Sequence, residues 1–286
     1  MAKQLTEAIK ESRTGNILGE LISWNLYNVE IPQGTFKEKY ESLGLPKHCY
    51  HSKRTRTALT KALRVMEGEG LIRKVSETET RIVYLLVEEQ KDSTGEDIVF
   101  NKKNTVIYDK TTKNIRFKKA NDEKESVLKS LFEKYQNLIT GREISKTFVK
   151  LARAYGVPLS EGGGIYFVPV SMLPVVDKML ELIKDTNGSI LRLGISDREQ
   201  DKEDVRKLVQ KELFGELTGL NKEARQLKAK KLEGDGALRG GLAERRIKRI
   251  RAFNTRIDYF GNLQIEDEEI KLKAKKCLKR LKQLES

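Results

Sequence analysis

The sequence predicts an α+β protein, and three observations carry that prediction. A segment with helical apolar spacing runs straight into two β-rich runs between residues 52 and 87. Short β-branched and aromatic runs then alternate with helical stretches from residue 98 to 195. From residue 196 onward the pattern is helical alone. Four segments follow: an N-terminal helix-and-hairpin domain at 1–90, a β-meander or linker at 91–121, a small mixed α/β unit at 122–195, and an elongated helical half at 196–286.

In chain order, Leu5 to Tyr27 carries helical spacing, with Ile17, Leu18, Leu21, Ile22 and Trp24 toward a core and a break at Gly15. Pro32 opens a shorter helix in which Phe36, Tyr40 and Leu43 repeat at the helical period, and Gly44-Leu45-Pro46 ends it. The next helix places Leu59, Ala62, Leu63 and Met66 on one face and Lys53, Thr57, Thr60, Lys61 and Arg64 on the other. Gly68-Glu69-Gly70 stops it, because glycine enters the left-handed region cheaply. Leu71 to Val75 and Arg81 to Val87 then read as a hairpin around the polar turn Glu77-Thr78-Glu79.

Helix, glycine stop and hairpin together form a pattern. Leu59-x-x-x-Leu63-x-x-Met66-Glu67-x-x-Gly70-Leu71-Ile72-Arg73 resembles the winged helix-turn-helix of many transcription and replication regulators, over roughly a quarter of the chain. The resemblance implies that residues 1–90 form a winged helix-turn-helix domain whose second helix enters the DNA major groove. Winged helices also dock proteins, so the fold alone does not dictate DNA.

Asp92-Ser93-Thr94-Gly95-Glu96 reads as a turn, and Ile98-Val99-Phe100, Val106-Ile107-Tyr108 and Ile115-Arg116-Phe117 as short strands of a meander that extends the hairpin sheet or bridges to the next unit. Aromatic and lysine residues on such strands can stack single-stranded bases, but covering a half-buried sheet is the simpler role. Asp122 opens a helix with the stripe Val127, Leu128, Leu131, Tyr135 and Leu138. Thr140-Gly141-Arg142-Glu143 caps the next helix, which carries Ile144, Phe148, Leu151 and Ala152. Gly162-Gly163-Gly164 precedes a strand rather than a helix, so it reads as a turn and not as a phosphate loop. The strand 165–169, a helix from Ser171 to Asp185 and the strand 190–195 make a β-α-β-like unit. This middle region is similar to segments of uncharacterised proteins from phages and other mobile elements.

The acids Asp197, Glu199, Asp201, Glu203 and Asp204 crowd a helix start, where they complement the helix dipole; contiguous acids on a helix point apart and do not converge on one ion. The helical run breaks at Gly234-Asp235-Gly236 and resumes from Glu244 to Tyr259, with Ile247, Ile250, Phe253 and Ile257 on its apolar side. The last helix lines up Ile270, Ala274, Cys277, Leu281 and Leu284 among lysines. These narrow stripes read as a basic helical hairpin or coiled coil, able to form a homodimer, to engage a protein partner or to lie along a nucleic-acid backbone.

The 286 residues carry 56 Lys+Arg against 42 Asp+Glu, a formal net charge of +14 that favours polyanionic partners. Between Lys47 and Met66 there are six basic residues and no acid. The candidate nucleic-acid contacts are therefore Lys47, Lys53, Arg54, Arg56, Thr57, Thr60, Lys61 and Arg64, with Arg245, Arg246, Lys248 and Arg249 in the helical half. His48, Cys49 and His51 could hold a metal only with a fourth ligand that the sequence does not show, so no metal and no cofactor is expected. The two cysteines, Cys49 and Cys277, form no spacing pattern and read as free thiols. Neither a secretory leader nor a membrane span is expected, which points to a cytoplasmic protein without membrane contact.

No Gly-x-Ser-x-Gly elbow, phosphate-loop lysine motif or Cys-x-x-Cys is present. The expected function is noncatalytic binding of nucleic acid, with duplex DNA favoured, in regulation or replication. The alternatives are a scaffold or inhibitor acting through the helical half and a metal-dependent nuclease with scattered carboxylates.

Overall fold

Ile82, Tyr84 and Leu86 alternate along one strand with the less covered Val83 and Leu85, and all three are almost free of solvent contact. A period of two in burial means one face of a sheet against a core. The computed structural model describes residues 17–68, 70–91, 98–119, 121–160, 162–232, 242–263 and 268–282. In order, its elements are β1 (Ile17–Asn25), β2 (Glu30–Pro32), α1 (Gln33–Ser42), α2 (Thr55–Glu67), β3 (Leu71–Glu77), β4 (Arg81–Lys91), β5 (Ile98–Asp109) and β6 (Ile115–Phe117). Then come α3 (Asp122–Asn137), β7 (Leu138–Thr140), α4 (Gly141–Tyr155), β8 (Val157–Pro158) and β9 (Tyr166–Pro169). The chain continues with α5 (Leu173–Ile183), β10 (Ser189–Ser196), α6 (Glu199–Leu232), α7 (Leu242–Asp258) and α8 (Glu268–Lys282). The fold is α+β with a helical C-terminal part.

Two compact units result, cut differently from the four expected segments. A hairpin unit comprises residues 28–42 and 51–144; a helical unit comprises the residues up to 27, 43–50 and those from 145 on. The meander therefore belongs with the hairpin rather than forming a linker, and the expected middle unit is divided between the two. The reason is sheet pairing: β5 continues the sheet of β4, whereas β10 pairs with β1.

In the hairpin unit the sheet order is β3-β4-β5-β6, antiparallel throughout. Two helices cover one face. Leu59 and Leu63 of α2, Leu128 and Phe132 of α3, and Ile82, Tyr84 and Val106 of the sheet share one core. α1 buries Phe36 and Tyr40, and β2 pairs with β7 through Glu30↔Thr140 and Ile31↔Ile139. Three local expectations change here. The strands at 98–100 and 106–108 are one strand, because β4 extends to Lys91 and pairs along its whole length. Val127 is exposed and Phe132 takes its place in the α3 stripe. Leu138 leaves the helix to pair with Pro32.

In the helical unit the order is β10-β1-β9-β8. The helix expected over Leu5–Tyr27 is, from Ile17 to Asn25, the strand β1; Leu5–Asn16 lie outside the described residues. Partners on both sides decide this: β1 pairs with β10 from Ile17 to Asn25 and with β9 from Gly19 to Ile22. Trp24 stacks on Tyr166 at 5.3 Å and donates from Nε1 to Ser145 Oγ at 2.9 Å. Glu20 is buried in the sheet but accepts from Arg192 Nε and Nη2, and Arg192 Nη1 reaches Asp177 at 2.6 Å, so the buried charge is paired. β9 and β10 flank β1 and run parallel to each other, which makes β9-α5-β10 a split β-α-β unit. The glycine triplet lies in the turn between β8 and β9, with Gly163 and Gly164 at positive φ.

The stripes of α6, α7 and α8 face one another within one chain. Val209, Leu213 and Leu217 of α6, Ile250 and Phe253 of α7, and Ile270 and Cys277 of α8 share a core with Leu18 and Phe167 of the sheet. The stripes expected to form a helical hairpin or a coiled coil pack against one another and against the sheet within this chain, since short basic helices need such packing to stay formed. The break at Gly234-Asp235-Gly236 and the side chains of Leu281 and Leu284 lie outside the described residues, as do Asp92–Glu96.

Candidate nucleic-acid interface

α2 starts after Arg54, whose backbone is extended and whose side chain makes no cap, and it ends at Gly68, which has φ 60° and whose N–H returns to Arg64 O. With Ala58, Leu59, Ala62 and Leu63 buried, helical geometry turns positions 54, 57, 61 and 64 outward in one stripe. Arg54, Thr57 and Arg64 are exposed, and the side chains of the two arginines make no ion pair among the described residues. Lys61 is 38% exposed; it pairs with Glu30 at 3.1 Å and sits 4.4 Å over the Tyr135 ring. Such a surface pair is worth little and exchanges readily for phosphate. The single acid of α2, Glu67, is turned away and held by Lys103 and Lys124.

Three expected contacts have other employment. Lys53 lies before α2, and its Nζ donates to Tyr135 O at 2.6 Å and Leu138 O at 2.9 Å, capping the end of α3. Burial lowers its ammonium pKa, with Glu143 opposing. Thr60 Oγ1 donates to Arg56 O and shares a hydrogen bond with the buried Tyr84 hydroxyl, so it is turned toward the sheet. Arg56 is drawn to Glu77 at 3.1 Å. We expect Lys53→Met to cost about 1–2 kcal/mol of stability, the scale of carbonyls left without a donor, and to leave unchanged the salt dependence of the duplex binding proposed below. A thermal melt and a salt titration read the two effects separately.

Glu77 ends β3 and collects Lys74 at 3.2 Å and Lys110 at 3.3 Å as well as Arg56. Hydrogen bonds from Lys74, Lys110 and Arg56 hold its carboxyl down at about 2, against an ordinary 4.5. A depressed carboxyl contributes stability that is present above about pH 4.5 and lost as pH falls through about 2, so the cluster persists at pH 4. NMR titration of the Glu77 carboxyl carbon is expected to return a value near 2; an ordinary value means the cluster does not form. Lys110 also donates to Thr78 O at 2.7 Å, tying the hairpin turn to the end of β5. Lys110 is missing from the expected contacts because its partner Glu77 lies 33 residues earlier; Lys74 stands only three residues from Glu77, and the local signal was a glutamate at a basic strand end.

Lys47 is exposed in a short 3-10 turn that belongs to the helical unit. His48 beside it is exposed, but Cys49 is buried, its thiol pushed up to about 11 by burial and directed at Lys150 O, 3.7 Å away. A metal at this turn would need that thiol turned outward. Among the described residues no group of three His, Cys, Asp or Glu side chains could hold a metal ion. The acids at the start of α6 are divided among neighbours: Asp197 and Glu199 pair with Lys202, Glu203 with Arg206, and Asp201 accepts from Ser196 Oγ.

On α7 the four expected contacts separate. Arg246 and Arg249 both reach Glu223 of α6, at 2.9 and 3.3 Å, the first as a charge contact without hydrogen-bond geometry. They brace two helices of one unit. Lys248 pairs with Glu244 one turn earlier at 2.7 Å, and Arg245 is exposed.

Among the described residues no helix is long and apolar enough to cross a membrane. Neither the curated proteins nor the solved structures contain a match to this chain. A family model does match, over residues 17–284, which takes in both units. The chain belongs to the family described as a family of unknown function (DUF6744).

Proposed function

We propose that the protein binds nucleic acid without catalysing a reaction, with duplex DNA as the partner, in regulation or replication in the cytoplasm. In this reading the hairpin unit works as a winged helix-turn-helix, with α1 and α2 as its helices and β3–β4 as its wing. The observation that carries it is the outward stripe Arg54, Thr57, Lys61 and Arg64, on a helix whose only acid is turned away. A row of cations along one helix face neutralises phosphates and releases counterions, which is the main source of sequence-independent affinity. Support also comes from the net charge of +14.

The test is duplex binding over a salt series. Arg54→Ala/Arg64→Ala is expected to weaken binding and to flatten the dependence of log Kd on log salt by about two units, at roughly 0.9 per lost phosphate contact. Both side chains are exposed, so stability should change by no more than about 0.5 kcal/mol. Unchanged affinity in the folded double variant would sink the assignment.

A protein-interaction reading has one observation in its favour. Leu191 and Leu193 are 64% and 44% exposed on β10, the edge strand of its sheet among the described strands. Unprotected apolar edges pair with other chains. Leu191→Lys/Leu193→Lys is expected to convert any assembly seen by light scattering to a monomer; an unaltered mass would set this reading aside.

A further inference from the structure

Arg56 of α2, Lys74 of β3 and Lys110 at the end of β5 come from three elements and meet on the two oxygens of one carboxylate, Glu77, at 3.1, 3.2 and 3.3 Å. Three cations around one carboxylate leave an excess of two positive charges. Their side chains are 31–42% exposed and that of Glu77 is 29% exposed, so all four stand at the surface where a dissolved anion can reach them. A carboxylate offers two acceptor oxygens to several N–H donors, and a phosphodiester offers the same two acceptors with the same charge. Arg56 lies in the first turn of α2, the helix that carries the outward stripe.

Resting on the nucleic-acid reading above, we propose that Glu77 is a built-in competitor for phosphate: its carboxylate occupies the Arg56, Lys74 and Lys110 cradle in the free protein, and a nucleic-acid phosphate displaces it on binding. Glu77 then restrains affinity rather than supporting it. Protonation does not release the cradle above about pH 2, because hydrogen bonds from Lys74, Lys110 and Arg56 keep the carboxyl ionised. Only a competing anion opens it. Exchange of one anion for another at an exposed cluster is also inexpensive, since surface ion pairs contribute little to stability.

The experiment compares the full-length parent, Glu77→Gln and Arg54→Ala/Arg64→Ala on a labelled random-sequence duplex across a salt series. Glu77→Gln keeps the shape and removes the charge. It is expected to bind more tightly than the parent and with a slope of log Kd on log salt steeper by about one to two units, as the released cations take up phosphates. Equal or weaker binding by Glu77→Gln overturns the proposal, and weaker binding identifies Glu77 as a residue that merely positions Arg56. Should Glu77→Gln melt well below the parent, the parent alone decides. Its Glu77 carboxyl is expected to move from about 2 toward 4.5 when saturated with duplex, and a value unmoved at saturation overturns the proposal. A parent that binds no duplex at any salt removes the nucleic-acid reading and this inference with it. A parent that binds, with Arg54→Ala/Arg64→Ala weakened and Glu77→Gln unchanged, removes the competitor alone.

Discussion

Leu63→Ala is expected to destabilise the hairpin unit by about 2–5 kcal/mol, the cost of deleting a buried leucine side chain and leaving a cavity. Leu63 has no solvent exposure and lies among Leu59, Tyr84 and Leu86 in the core shared by α2, α3 and the sheet. The N-terminus of α2 has no side-chain cap, so burial of this face is a main source of the helix's stability. Loss of the leucine therefore loosens the element that carries Arg54, Thr57, Lys61 and Arg64. Thermal or denaturant unfolding measures the effect, and a parent-like midpoint would mean that α2 turns another face inward. Under the proposed duplex binding, the salt slope of whatever protein remains folded should match the parent, since no cation has been removed.

Gly19→Ala is expected to damage the helical unit by at least about 3 kcal/mol, the upper range for overpacking a well-filled core. A Cβ at residue 19 would stand 2.2 Å from Val168 O and 2.8 Å from Pro169 Cα, both backbone atoms of β9. No rotamer relieves a clash between two backbones, so β1 would have to separate from β9 along the register Gly19↔Pro169 to Ile22↔Tyr166. Hydrogen exchange at Glu20 and Val168, partners across β1 and β9, reports the separation directly. Protection equal to the parent at both amides would show that the strands accommodate a methyl group here.

The basic bias between Lys47 and Met66 and the apolar face of α2 were visible because both are local, and from them Arg54, Thr57, Lys61 and Arg64 could be placed on one outward face. Lys53, Thr60 and Arg56 looked the same on paper, but their partners lie elsewhere in the chain, at Tyr135 and Leu138, at Tyr84, and at Glu77. Arg246 and Arg249 were read as free cations for the same reason; Glu223, more than twenty residues earlier, holds both.

By itself the sequence determined the helices whose apolar residues recur at three and four, with Phe36 and Tyr40 in α1, Leu59 and Leu63 in α2, and Ile250 and Phe253 in α7 all buried. It also determined the glycine stop after α2, where Gly68 takes a positive φ. These features depend on neighbours within a turn or two of the chain and on the partition of apolar groups from water. The tertiary structure alone decided that Ile17–Asn25 is a strand, although Leu18, Leu21 and Ile22 fit a helical spacing equally well. It chose between the two readings of the meander by joining β5 to the sheet of β4, and it alone brought Arg56, Lys74 and Lys110 together at Glu77. A strand is stabilised by hydrogen bonds to partners far away in sequence, here β9 and β10, and an ion cluster by charges on separate elements. Neither partner can be read from the residues that need it, so these features exist only once the chain has folded.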